Sequence, residues 1–337
     1  MVINELTQAV KEEAKRTRFS GVVAVFKGKE TLAQESFGYA DIVNNRMNDL
    51  GTRFAIASGT KFFTALGIGT LIDAGKLSLD TTVHDIFQND LTYVDSRATI
   101  AQFLTHSSGI YDYYDEDLDI DSENFSVDIP WSCLETPSDY LPLFESKKPK
   151  YPPGNRFSYS NGGFIFLGVI IEKITGQLYR GYIQNHVFKP ADMNNSGYFA
   201  FNKLPNNAAY GYKANGETNI YNLPMRGGSD GGAYTTVSDL KNMWQALFSN
   251  QILSKKLTTD FLTPHIVIES PVKYGYGVYI SEFKDMNMFY FVGGDAGVGF
   301  DCRYLPEKEL QTTIISNKTD GEEKVRDVVY SFLAGIV

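Results

Sequence analysis

The chain has 337 residues, of which 43% are hydrophobic and 21% are charged, and its formal net charge is −9. This composition is typical of an ordinary globular protein with room for two domains. The acidic balance argues against nucleic acid as a partner, because phosphate binding needs a concentrated basic surface and the sequence has no basic run. The two cysteines, Cys133 and Cys302, lie far apart and predict free thiols rather than a disulfide framework.

Two features bear on where the protein is found. The longest apolar run, residues 164–171 with Gly168 inside it, is too short to span a membrane. The first residues form a charged amphipathic segment without the apolar core of a signal peptide. We therefore expect a cytoplasmic protein with no transmembrane segment, unless a leader has been trimmed away.

The N-terminal part of the chain predicts a helix followed by three strands. The helix covers about residues 3–17. Segments 20–26 and 31–39 flank a glycine-containing turn and predict a β-hairpin. A third strand is predicted over residues 52–57, and an apolar stretch with helical patterning, residues 61–75, follows it directly.

From about residue 75 to residue 204 the pattern changes to helical segments separated by long polar loops. The stretch 111–126 is strongly acidic, and we interpret it as a solvated, mobile loop. A calcium site is the alternative there, although the spacing does not match an EF-hand. Residues 164–174 predict a clear apolar helix that ends at Thr175-Gly176.

After Gly227 the sequence again favours strands, and a helix over about residues 321–334 closes the chain. The strand-like segments are 274–280, 288–292, 300–305 and 312–316. We therefore predict an α+β fold, an α/β sandwich in which one antiparallel sheet is built from both chain ends and flanked by the terminal helices.

The predicted domain organisation is discontinuous. Residues 1–74 and 225–337 form the sheet domain, and residues 75–224 form an inserted, mainly helical domain. Ser58 would then lie at the seam between the two parts, where clefts tend to form.

A serine and a lysine three residues apart lie on one face of a helix, where the lysine can serve the serine as a base or assist one. Burial would lower the pKa of such a lysine, and the helix dipole would favour negative charge developing on the serine. The pattern S-x-x-K occurs four times: Ser58/Lys61, Ser238/Lys241, Ser270/Lys273 and Ser281/Lys284. Only Ser58/Lys61 combines a strand-like approach with a long apolar helix behind it, so the others are interpreted as accidental.

Tyr159-Ser160-Asn161 is the only Y-x-N among 21 tyrosines, and it lies on a loop before the helix of residues 164–174. A lysine ammonium beside a tyrosine stabilises the phenolate, which makes Tyr159 a candidate general base and acid. Asn161 can hydrogen-bond both the lysine and a substrate amide. Taken alone, a tyrosine in such an aromatic chain is usually a packing residue.

Several motifs in this order resemble the serine β-lactamase-related superfamily. More narrowly, the chain is similar to the group of class C β-lactamases, D-Ala-D-Ala carboxypeptidases and family VIII esterases. The motifs that carry the resemblance, over nearly the whole chain, are residues 58–61, 104–110, 153–161 and 231–240.

The resemblance implies an α/β-plus-helical architecture and a role for each motif residue. Ser58 would be the acylated nucleophile, Lys61 and Tyr159 its proton-transfer partners, and Asn161 a residue that orients the substrate. No cofactor is implied. The family's oxyanion hole would be made by the N–H of Ser58 and the N–H of a residue near Ala296.

The third family motif is where this chain departs from the pattern. The family usually carries Lys-Thr-Gly or His-x-Gly on a strand lining the cleft, and the matching place here is Gly293-Gly294-Asp295, with a register shift of one or two residues left open. We expect Gly294, Asp295 and Ala296 to contact the substrate. Asp295 would repel a substrate carboxylate, so β-lactam turnover should be weak. The alternative for Asp295 is a turn residue that points to solvent.

Two other patterns are set aside. Residues 227–231 satisfy G-x-S-x-G, but they lack the strand approach of an α/β-hydrolase elbow and are interpreted as a flexible glycine loop. The four histidines form no H-x-x-x-H pair, so no metal site is expected, and His106 is assigned a structural hydrogen-bonding role.

The sequence thus predicts a serine hydrolase that forms an acyl-enzyme on an ester, amide or D-amino-acid peptide carbonyl. Its partner would be a small-molecule or peptide substrate, and its oligomeric state is left open. The alternative is a penicillin-binding-protein-like module that binds a ligand or partner with little or no turnover.

Overall fold

The computed structural model describes residues 2–88, 91–118 and 120–336. An eight-stranded antiparallel sheet has the order β2-β1-β12-β11-β10-β9-β8-β7, so the first hairpin pairs with the last strand and the sheet is built from both chain ends as predicted. Two small two-stranded ladders, β3-β4 and β5-β6, lie outside it. The strands are β1 Gly21–Lys27, β2 Glu30–Phe37, β3 Tyr39–Asp41, β4 Arg46–Met47, β5 Phe54–Ala55, β6 Tyr234–Thr235, β7 Ile266–Glu269, β8 Val272–Tyr274, β9 Tyr279–Phe283, β10 Met286–Asp295, β11 Val298–Leu305 and β12 Leu310–Ser316.

Helices cover both faces of the large sheet, which confirms the predicted fold class. The helices are α1 Val2–Thr17, α2 Thr60–Asp73, α3 Val83–Phe87, α4 Ile100–Leu104, α5 Asn161–Thr175, α6 Tyr179–Ile183, α7 Val237–Phe248, α8 Lys255–Phe261 and α9 Glu323–Ile336. The terminal helices α1 and α9 pack together, and α7 packs on β1 and β12. Among the described residues, no helix is both long and apolar enough to cross a bilayer.

Strand β1 shows why both faces are covered. Side chains alternate between the faces of a strand, and in β1 all six residues from Gly21 to Phe26 are buried. Val23 and Val25 belong to the apolar cluster formed with α1 and α9, whereas Val22 and Phe26 belong to the main core around α2. An uninterrupted apolar strand is therefore explained by a sheet with protein on both sides.

Helix α2 carries the candidate nucleophile motif at its start and lies in the centre of the core. Almost every residue of α2 as far as Leu71 is buried, so it has no polar face. Its glycines permit close packing, since an ideal Cβ on Gly67 would lie 2.5 Å from Cδ1 of Ile183, and one on Gly69 would lie 2.8 Å from a methyl of Leu253. This burial holds the start of α2 rigidly beside the sheet.

Two strand predictions are wrong in their bounds. Segment 274–280 is broken because Gly275 and Gly277 leave the ladder, the latter with φ of +78°, and β9 begins only at Tyr279. The third strand shrinks to Phe54–Ala55, because the chain then turns into the short helical segment that precedes α2. The predicted domain bounds, 1–74 with 225–337 and 75–224, remain a proposal.

Candidate active site

Ser58 lies in a single 3-10 turn, Ala57–Gly59, between strand β5 and helix α2. Ala57 has a φ of +42°, an uncommon conformation for a residue with a side chain and one that clusters at functional sites. Gly59 cannot carry a side chain, because its Cβ would overlap the ring of Phe300. The turn therefore presents Ser58, which is partly exposed, at the end of a buried helix.

Lys61 is only 2% exposed, and its ammonium group has three acceptors for its three N–H bonds. Nζ lies 2.8 Å from Oγ of Ser58, 2.7 Å from Oδ1 of Asn161 and 2.8 Å from the carbonyl oxygen of Asp230. Burial lowers the pKa of Lys61, against the opposing effect of nearby carboxylates of which Asp230 is the first. The predicted direction of the lysine shift is confirmed.

Tyr159 lies beside the lysine, and its ring centroid is 4.9 Å from Nζ of Lys61. Its pKa is raised well above 10, chiefly by burial and then by Glu116, while a hydrogen bond with Ser58 opposes the rise. The prediction that Lys61 makes the Tyr159 phenol lose its proton more easily is therefore wrong for this structure. Removal from water outweighs the neighbouring cation, and the phenol is held protonated.

His106 fixes the loop that carries Tyr159. The two rings stack with centroids 4.4 Å apart, and Nδ1 of His106 accepts the backbone N–H of Ser160 at 2.9 Å. The imidazole is buried and its pKa lies well below 6.5, so it is neutral and Nε2–H donates to the hydroxyl of Tyr274 at 3.1 Å. These contacts match the structural role expected for His106.

Asn161 is the first residue of α5, and the acidic stretch 111–126 holds it in place. Its side-chain Nδ2 donates to the carbonyl oxygen of Tyr114 at 2.8 Å and to Oε1 of Glu116 at 3.0 Å, which turns Oδ1 toward Lys61. Asp112 is 2% exposed and accepts the backbone N–H of Asn161 at 2.7 Å. The interpretation of this stretch as a solvated loop is therefore wrong at its start.

The glycine loop of residues 227–231 also belongs to the site, through Asp230. Ser229 is fully buried, which rules out an exposed nucleophile elbow there. The carbonyl of Asp230 holds Lys61, and its carboxylate accepts the hydroxyl of Tyr113 at 2.5 Å. Sequence reasoning missed Asp230 and Tyr113. Asp230 lies inside the G-x-S-x-G match that was set aside, Tyr113 belongs to no motif, and a backbone carbonyl leaves no signature in the sequence.

The third motif lies on strand β10, whose ladder with β9 ends at Tyr290, so the edge beyond it is open. An ideal Cβ on Gly293 would overlap the carbonyl oxygen of Ile56 and lie 2.9 Å from the amide nitrogen of Ser58. No lysine or histidine side chain can occupy this position. Gly293 is thus the residue that lets β10 approach the Ser58 turn.

Ala296 does not lie where it was predicted to act. It is fully buried in the β10-β11 turn, its N–H donates to Oδ1 of Asp295 at 2.8 Å, and its carbonyl accepts Nδ2 of Asn219 at 2.8 Å. Gly294 and Asp295, by contrast, line a cavity together with Ser58 and Asn161. Ala296 is not among the residues that line this cavity, because the turn folds it away, so the structure does not favour the predicted substrate contact through Ala296.

The cavity beside Ser58 is acidic. Glu116, Asp230 and Asp295 all line it. Burial, together with the neighbouring carboxylates of Asp230 and Glu116, raises the pKa of Asp295 to about 7. The solvent-facing alternative for Asp295 is therefore wrong. Among the described residues, no group of three or more His, Cys, Asp or Glu side chains could hold a metal ion.

Comparisons with known proteins agree with this geometry. The family model described as Beta-lactamase matches residues 6–335. A penicillin-binding protein of Bacillus subtilis is 30% identical over 279 residues, which cover 77% of this chain and 59% of that protein. The chain spans 65% and 59% of the length of the first two Bacillus subtilis relatives that it matches.

Solved structures of penicillin-binding proteins superpose closely on this chain. The crystal structure of a penicillin-binding protein from Bacillus halodurans superposes with a TM-score of 0.90 and 37% identity, over 96% of this chain and 99% of that one. An octameric penicillin-binding protein homologue from Pyrococcus abyssi superposes with a TM-score of 0.85 and 26% identity, over 100% of this chain and 77% of that one. With its serine, lysine and tyrosine gathered at one cleft, this chain belongs to the Beta-lactamase family of serine hydrolases.

Proposed function

We propose that the protein hydrolyses an ester, amide or D-amino-acid peptide bond through an acyl-enzyme on Ser58. The observation that carries the proposal is the buried ammonium of Lys61, held between Ser58, Asn161 and the Asp230 carbonyl. A free serine is a weak nucleophile, and a desolvated lysine within hydrogen-bond reach is one of the ways in which proteins activate it.

The directions of the two pKa shifts suit Lys61 and Tyr159 to different proton-transfer roles. Burial lowers the pKa of Lys61 and so favours its neutral amine form, and this amine takes the proton of the Ser58 hydroxyl as Oγ attacks the carbonyl carbon. Tyr159, whose phenol is held protonated, donates its proton to the leaving oxygen or nitrogen as that bond breaks, and recovers one from Lys61. Water then enters, passes its proton back along the same route and releases the acid product.

The oxyanion needs two backbone donors beside Ser58. One is the N–H of Ser58 at the start of α2, where the helix dipole favours negative charge. We assign the second to Gly294, because it follows the glycine packed against Ser58 and lines the same cavity. The N–H of Ala296 is already engaged by Asp295.

The charge of the cavity beside Ser58 supports a neutral or amine-bearing leaving group. Asp295, Asp230 and Glu116 surround the place where a substrate would lie beside Ser58, and Gly293 leaves no room for a compensating cation. A β-lactam carries a carboxylate and would be repelled. We therefore expect weak β-lactam turnover.

A substrate panel tests the proposal. Short-chain esters, D-amino-acid peptides and a chromogenic cephalosporin are offered to the wild-type protein and to Ser58→Ala. We expect ester or peptide hydrolysis that depends on Ser58, with slow cephalosporin turnover. Rapid cephalosporin turnover would contradict the substrate assignment. No turnover and no labelling by a fluorophosphonate probe, with the fold intact, would favour the binding module instead.

A further inference from the structure

A second cavity adjoins the one that contains Ser58. The two cavities share Tyr113, Leu223, Pro224, Asp230, Gly231 and Asp295 as walls. The remaining walls of the second cavity are largely apolar and aromatic, and Tyr140, Phe199 and Phe201 are among them. A cavity of this kind is suited to a ring or a branched apolar group.

Arg226 is the basic residue in the wall of this second cavity, which we call the Arg226 pocket. Its Nε atom is buried and has no hydrogen-bond partner. Among the ion pairs of residues 2–88, 91–118 and 120–336, none involves Arg226. A buried donor without a partner is rare in a native fold and costs stability, so it needs an explanation.

The position of the pocket relative to the proton donor indicates which part of a substrate it takes. Asn161, which accepts a hydrogen bond from Lys61 and follows Tyr159 by two residues, lines the cavity that contains Ser58 but not the Arg226 pocket. Ala57 and Gly231, next to the nucleophile, do line the Arg226 pocket. The leaving group must lie where Tyr159 can protonate it. The Arg226 pocket is then left for the other side of the scissile bond, the acyl group.

We propose that the Arg226 pocket binds the acyl group of the substrate and prefers an aromatic or branched apolar group that ends in a carboxylate, which the guanidinium of Arg226 holds. A guanidinium presents paired N–H donors in a planar fork that matches a carboxylate. The inference rests on the proposed acyl-transfer function and narrows its substrate.

The carboxyl groups of Asp230 and Asp295 also lie in the wall of the Arg226 pocket, where a charged carboxylate would oppose the binding of another. The Asp230 carboxylate is engaged by the Tyr113 hydroxyl, and Asp295 accepts the N–H of Ala296. Both carboxylates thus already accept a hydrogen bond from the protein, whereas the buried Nε of Arg226 has no partner.

The test compares two esters that share a leaving group and nearly share a shape: p-nitrophenyl 4-carboxyphenylacetate and p-nitrophenyl 4-carbamoylphenylacetate. The rigid ring keeps the carboxylate from attacking its own ester. We expect wild-type kcat/KM to favour the carboxylate by about tenfold, the value of one charge-assisted contact. Arg226→Gln should bring the ratio close to one, and Arg226→Lys should keep part of the preference.

The control is Arg97→Gln, which removes the same charge from a side chain that is 78% exposed and paired with Asp95. It should leave the ratio at the wild-type value. Hydrolysis that depends on Ser58 but shows the same ratio in wild type and Arg226→Gln would overturn the pocket assignment alone. Hydrolysis of neither ester, or hydrolysis that survives Ser58→Ala, would overturn the proposed function and the pocket assignment with it.

Discussion

Nζ of Lys61 lies 2.8 Å from Oγ of Ser58, and its other two N–H bonds are directed to Asn161 and to the carbonyl of Asp230. The ammonium group therefore cannot turn away from the serine without losing a buried hydrogen bond. Such losses are expensive because water cannot replace the missing partner. The lysine is held in the position that a base for Ser58 must occupy.

Replacing this lysine should abolish most turnover. We expect Lys61→Met, which keeps the length of the side chain, to lower kcat about 10²–10⁴-fold, the usual contribution of a general base. Steady-state kinetics on a short-chain ester measure the effect. Lys284→Met is the matched control, because Lys284 belongs to another S-x-x-K match and is exposed. Equal activity in the two variants would remove Lys61 from the mechanism.

Tyr159→Phe removes only the phenolic oxygen and keeps the ring that stacks on His106. We expect kcat to fall by about 10²-fold or more while KM changes little, because the hydroxyl acts on the leaving group. The loss should be smaller for esters of acidic phenols, whose leaving groups need no proton. Unchanged kcat on an alkyl ester would exclude the tyrosine as the proton donor.

Alanine substitutions at the two adjacent glycines on β10 should have opposite effects on folding. Gly293→Ala should greatly reduce activity and lower Tm, because the new methyl group would collide with the backbone of Ile56 beside Ser58. Gly294→Ala should fold normally, since its nearest neighbour would be Oδ1 of Asp320 at 3.6 Å. Thermal melts and ester kinetics on both variants check this. A tolerated Gly293→Ala would contradict the close approach of β10 to the nucleophile.

Asp295 should make the substrate preference depend on pH. Its pKa is raised to about 7, so the carboxyl is largely neutral below pH 7 and charged above it. As pH rises through 7, kcat/KM for an amine-bearing ester should increase relative to a neutral ester of the same shape, by roughly tenfold if the contact is a charge-assisted hydrogen bond. In Asp295→Asn the ratio should stay flat between pH 6 and about pH 8. A ratio that rises equally in the variant would assign the effect to another group.

Much of this fold is predictable from local pattern. Strand β1 as far as Phe26 and most of helix α2 are apolar, and that property follows from their burial on both sides of the sheet and in the core. The break in segment 274–280 was not predictable from alternation alone. It arises where Gly275 and Gly277 turn the chain, and a glycine inside a strand pattern signals a bend without locating it.

The residues of the candidate site could be predicted from the sequence, but parts of their chemistry could not. Motif spacing was enough to select Ser58, Lys61, Tyr159 and Asn161, and the structure brings these four together. The direction of the Tyr159 pKa could not be predicted, because it depends on burial that no short motif encodes. The place of Ala296 could not be predicted for a similar reason, since a hairpin turn decides which backbone N–H groups remain free.

The most direct test of the central claim is detection of the covalent intermediate. The protein is mixed with an ester whose acyl-enzyme hydrolyses slowly, quenched in acid and analysed by intact mass and by peptide mapping. We predict one added acyl group on the peptide that contains Ser58, present in wild type and absent in Ser58→Ala. An acyl group on any other residue, or ester hydrolysis that continues in Ser58→Ala at the wild-type rate, would contradict it.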